Sequence, residues 1–71
     1  MFIHEAVKKA MDINGYITRT GWPWEVRLRP TDDIGGILVL SKNYESPRPR
    51  WQPQAEDLMA KDWIVTREGL T

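Results

Sequence analysis

The chain has 71 residues, no cysteine, four tryptophans, and ten Lys plus Arg balanced by ten Asp plus Glu. That length suits one domain, expected to span residues 1–71 with a frayed tail at 67–71, and folding at this size buries only about 60% of the surface the unfolded chain exposes. Zero net charge gives no field to draw in nucleic-acid polymers or acidic membranes, disulfides and thiolate zinc sites are excluded as staples, and oligomerisation is the common supplement that remains.

In chain order, Ile3, Ala6, Val7, Ala10 and Met11 recur at steps of three and four, with Glu5, Lys8, Lys9 and Asp12 on the other side. This spacing predicts an amphipathic helix of about three turns. Asn14-Gly15 stops it, Gly15 being suited to the left-handed residue beyond a helix. Residues 16–20 are β-branched and aromatic and predict a strand, and Gly21-Trp22-Pro23 interrupts it because proline cannot donate to a ladder. Residues 24–29 alternate, Trp24, Val26 and Leu28 against Glu25, Arg27 and Arg29, as a strand with one buried and one wet or partnered face does.

A turn at residues 30–33 and Gly35-Gly36 lead into the apolar run Ile37-Leu38-Val39-Leu40, which reads as a central strand covered on both faces. Residues 41–50, with Pro47 and Pro49, read as an ordered irregular loop. Pro53 suits a first helical position, so residues 54–61 are expected to form a short second helix opened by Trp51, with Glu56 and Asp57 early where the helix dipole favours anions. Residues 62–66 close the domain as a last strand. The fold class is α+β, an antiparallel sheet with an N-terminal helix and a short second helix, in the order α-β-β-β-α-β. The longest uncharged apolar run, residues 34–40, is too short to span a bilayer and no charged-then-apolar leader opens the chain, so a cytoplasmic protein is expected.

Little in the sequence points to catalysis or to a cofactor. His4 is the one histidine and has no nucleophile placed beside it by spacing, Asp57 and Asp62 fall on different elements, and Gly35-Gly36 lacks the remaining glycines and the lysine of a phosphate loop. No catalytic residue, metal ligand or cofactor is therefore assigned. Arg27 and Arg29 on one strand face, with Arg48 and Arg50 in the proline loop, suit bidentate phosphate binding, and exposed indoles stack on bases. The plainer reading pairs these arginines with Glu25 and Glu45 at the surface. Trp22, set between Gly21 and Pro23 in a tight connection, is either presented to a ligand or a lid over the core. Trp63 reads as core.

Two motifs, Arg19-Thr20-Gly21-Trp22 and the closing run Trp51-Gln52-Pro53-Gln54-Ala55-Glu56-Asp57-Leu58-Met59-Ala60-Lys61-Asp62-Trp63, resemble those of the second-type Thoeris anti-defence proteins. These are short phage and prophage proteins whose members read Arg-x-Gly-Trp and later Trp-x-Pro-Ser/Thr-x-x-Asp-Leu/Ile-x-Ala-x-Asp-Trp. The resemblance spans nearly the whole chain. It implies a homotetrameric, non-enzymatic sponge in the bacterial host cell that holds cyclic ADP-ribose isomers, in some members cyclic dinucleotides, uncleaved in pockets between subunits. It places Trp22 and Arg19 at the ligand, stacking on a base and steering a phosphate, and gives Trp51, Asp57, Asp62 and Trp63 mainly to scaffold. With Gly21, Trp24, Arg50 and Trp51, these two make the expected ligand-binding set. The chain departs from the family pattern in a shorter stretch before Trp51 and in Pro23-Trp24 after Gly-Trp, both where a pocket wall would lie. A protein-interaction module docking a partner through the Trp22-Trp24 surface, and a small hydrolase of nucleotide signals, are the competing readings.

Overall fold

A computed structural model describes residues 1–23 and 25–67. The elements run α1 (Ile3–Ile13), β1 (Tyr16–Arg19), β2 (Val26–Pro30), β3 (Ile37–Ser41), α2 (Ala55–Met59) and β4 (Trp63–Thr66), the order read from the sequence. The four strands form one antiparallel sheet in the spatial order β3-β2-β1-β4. The tail expected at residues 67–71 falls, beyond Arg67, outside the described residues, as does Trp24.

The register explains the core. Ile17 pairs with both Leu28 and Val65, Arg19 with Trp63, Leu28 with Val39, and Pro30 with Ile37. Directly opposed residues share a face. That face meets α1, which lies across β4, β1 and β2 and contributes the fully buried Ala6 and Ala10, with Ile3 and Val7 against the same cluster. Small alanines let the helix approach Ile17, Leu28 and Trp63, all 0% exposed. Met11 was expected on this stripe but sits at its margin and is exposed.

Four boundaries differ from expectation for identifiable reasons. The left-handed residue after α1 is Asn14 (φ 54°), whose N–H donates to the Ala10 carbonyl, a conformation asparagine tolerates. Gly15 is needed for closeness instead: a Cβ there would lie 2.7 Å from the Thr66 carbonyl oxygen. The second helix is shorter than expected, since Gln54 caps it and Pro53 precedes the cap; Trp51 lies in the extended approach, outside the helix. Finally, β3 is an edge strand and not a central one. The proline loop doubles back along its outer side, with Val39 and Arg48 exchanging two backbone hydrogen bonds and the Trp51 and Arg50 amides donating to the Ile37 and Gly35 carbonyls. The continuous apolar run thus has its exposed edge covered by a loop.

Candidate functional site

The site forms where the two tryptophan motifs meet. At the end of β1 the chain turns tightly, the Trp22 amide donating to the Arg19 carbonyl at 3.0 Å, and this swings the Trp22 indole back over the core. Trp51 reaches the same place from the β3 edge, and Trp63 from β4. The three indoles form a closed triangle of edge-to-face contacts: Trp22–Trp63 at 5.2 Å and 76°, Trp51–Trp63 at 5.9 Å and 82°, and Trp22–Trp51 at 6.1 Å and 72°. Each such pair adds about 0.5–1.5 kcal/mol beyond area burial. Trp63 is fully buried, whereas Trp22 and Trp51 are half-buried and keep part of their surface to solvent. The buried indole donates its Nε1–H to the Asp57 carbonyl at 2.9 Å, which satisfies its polar handle and ties α2 to the sheet.

Arg19 does something other than steer a phosphate. Its Nε donates to Asp62 Oδ1 at 2.9 Å, its Nη1 to Asp57 Oδ1 at 3.0 Å, and its Nη2 lies 3.7 Å from Glu56 Oε1, with the side chain only 16% exposed. Thr20 adds its hydroxyl to Asp62 Oδ2, and the second Asp57 oxygen accepts the Gln54 amide at the start of α2. The hydrogen bond from Arg19, followed by that from Thr20, holds the Asp62 carboxyl below the usual carboxylate range. The same bond to Asp62, with Asp57 behind it, pushes the Arg19 guanidinium up. A cation shared by three carboxylates presents no surplus positive charge to a ligand phosphate; it joins β1, α2 and β4 beneath the indoles. Asp57 and Asp62, expected mainly as scaffold, are the residues that commit it.

The other expected positions are dispersed. Gly21 is exposed, with nothing within 4 Å of where a Cβ would project. Trp24 lies outside the described residues. Arg50 is exposed and immediately precedes Trp51, and it takes the left-handed conformation (φ 58°), rare for a side chain of this size. Arg48 stacks over the Tyr44 ring at 4.0 Å, and Arg29 donates to the Tyr16 hydroxyl. Among the described residues neither these arginines nor Arg27 pairs with Glu25 or Glu45, so the expected surface ion pairs do not form. His4 stacks against Phe2. No helix among the described residues is long and apolar enough to cross a membrane.

Arg-Thr-Gly-Trp and the closing run therefore belong to one structural unit, as a shared ancestral motif pair requires. The family model of the Tad2-like, Thoeris anti-defense 2-like, domain matches residues 1–66. The chain belongs to that family. The match takes in every described element from α1 to β4, so the Tad2-like assignment covers both motifs and the sheet joining them, and it supports a role in Thoeris anti-defence. No curated protein and no solved structure matches the chain.

Proposed function

We propose that this Tad2-like protein sequesters a cyclic nucleotide immune signal, a cyclic ADP-ribose isomer or a cyclic dinucleotide, and holds it uncleaved between copies of the chain in the cytoplasm of the bacterial host. The observation that carries this reading is the pair of half-exposed indoles, Trp22 and Trp51, fixed edge-on by the buried Trp63. Rigid aromatic faces already braced before binding lose little entropy when a base stacks on them. Arg50 beside Trp51 supplies the positive charge for a phosphate. Arg19 contributes as a positioning residue, through the carboxylates it links. The carboxylates closest to the indoles, Asp57 and Asp62, are occupied by that guanidinium, which speaks for binding without acid–base turnover.

Calorimetric titration with cyclic ADP-ribose isomers and cyclic dinucleotides tests the proposal, with the ligand recovered intact after heat release. Because base stacking is worth about 1–3 kcal/mol, Trp22→Ala should weaken binding about 5- to 150-fold, and Trp22→Phe should recover most of it. Absence of heat with every one of these nucleotides at high micromolar concentration would refute the reading, and recovery of cleaved ligand would replace it with hydrolysis.

A further inference from the structure

Two surfaces of the molecule are used neither by the core nor by the indole cluster, and they are opposite in character. The first is the sheet face turned away from α1. Alternation from the buried Ile17, Leu28, Val39 and Val65 places Arg27, Arg29, Leu38, Leu40 and Ile64 there, and no described element packs over it. Arg29 has only the Tyr16 ring and hydroxyl as partner. Arg27 donates to its own neighbour's carbonyl, and its Nε has no acceptor although solvent does not reach it. The face is therefore apolar with two arginines that no described carboxylate balances.

The second surface is α2 and its surroundings. This helix buries none of its residues; Leu58 is 51% and Met59 69% exposed. Beside it opens a hollow of about 630 Å³ lined by Arg19, Glu56, Met59, Ala60, Lys61 and Asp62. Glu56 is 79% exposed and only grazes Arg19 at 3.7 Å, since Asp57 and Asp62 already hold that cation; Lys61 leans toward the Phe2 ring at the other side. This surface is apolar with surplus carboxylate.

We infer that the α2 surface of one copy docks on the open sheet face of another, Leu58 and Met59 against Leu38 and Leu40, and Glu56 against Arg27 and Arg29. A chain with zero net charge that segregates its unpaired charges onto two apolar patches is complementary to itself in a head-to-tail sense. Such a contact is heterologous: every copy uses one surface of each kind, so association continues past a pair unless the ring closes. It involves neither Trp22 nor Trp51, so it stands or falls separately from the ligand reading.

Sedimentation velocity on two variants and their mixture tests the contact. Wild-type protein should show masses rising with concentration above the 8.3 kDa of one chain. Arg27→Glu/Arg29→Glu and Glu56→Lys/Met59→Lys should each remain at one-chain mass, with unchanged far-ultraviolet circular dichroism. Mixed in equal amounts, they should form a one-to-one pair and stop there, because each retains the surface the other has lost. Leu38→Arg replaces the first variant if reversing both arginines unfolds it. Wild-type protein that stays at one-chain mass overturns the inference. So does a variant that associates alone, which would mark a symmetric contact, or a mixture that does not pair. Trp22→Ala should associate as wild type does; association intact with nucleotide binding absent would defeat the ligand reading alone.

Discussion

Replacing Arg50 by glycine separates the cost of a conformation from the use of a side chain. Arg50 is exposed and sits at φ 58°, where the Cβ of an L-residue costs about 1–2 kcal/mol. Glycine removes that cost, while the freedom it adds to the unfolded chain returns about 0.4–1 kcal/mol. The backbone hydrogen bond that fixes the position, from the residue 50 amide to the Gly35 carbonyl at 2.8 Å, needs no side chain and survives. The net expectation is a gain of about 0.5–1 kcal/mol, or about 2–8 °C in Tm for a domain of this size. Urea unfolding followed by tryptophan fluorescence, with the m-value unchanged, and a thermal melt measure it. If Arg50 supplies a ligand phosphate contact, nucleotide affinity should fall in the same variant, so the more stable protein binds less well. A lowered Tm would refute the reasoning, since it would mean that the Arg50 side chain makes a stabilising contact larger than the strain it relieves.

Three further perturbations address the rest of the framework. Gly15→Ala would push a Cβ to 2.7 Å from the Thr66 carbonyl oxygen and 3.1 Å from the Ile13 side chain, and should destabilise by about 1–3 kcal/mol, read as a lower urea midpoint. Trp63→Phe removes the hydrogen bond to the Asp57 carbonyl and one member of each of two ring pairs; a loss of about 2–4 kcal/mol together with a collapsed near-ultraviolet circular dichroism signal is expected. The pH dependence follows from Asp62, whose folded-state pKa is depressed chiefly by the hydrogen bond from Arg19. Its contribution is complete above the ordinary carboxylate value of about 3.9 and is lost as pH falls through the lower folded value. Stability should therefore drop on acidification from pH 5 to pH 2, and Asp62→Asn should drop less over that interval while being weaker at pH 7. Equal slopes for the two proteins would show that Asp62 is not held by Arg19.

Much of the fold was legible along the chain because it rests on local rules. The three-and-four spacing from Ile3 marked α1, Asn14-Gly15 its end, the alternation at residues 26–29 a half-covered strand, and the two tryptophan motifs the family. Trp63 as core was equally plain, an indole bracketed by strand formers. The misplacements share one cause: they concern contacts between residues far apart in sequence. An apolar run reads as central whether its edge is covered by a strand or, as for β3, by a returning loop. Arg19 reads as a phosphate ligand until the 38 and 43 residues that separate it from Asp57 and Asp62 are closed into hydrogen bonds. Opposite charges in the two conserved-looking motifs were the signal available for that pairing.

By itself, then, the sequence determined the elements, their order, the family and the residues rich enough in surface or charge to matter, because helical and strand periods and turn chemistry act over a few residues. Only the tertiary structure decided what those residues face. It gathered Trp22, Trp51 and Trp63 into one braced cluster, turned Arg19 inward onto three carboxylates, and left Arg27 and Arg29 on the open side of the sheet. A side chain's partner is set by which strands lie side by side, and that register is a property of the whole chain.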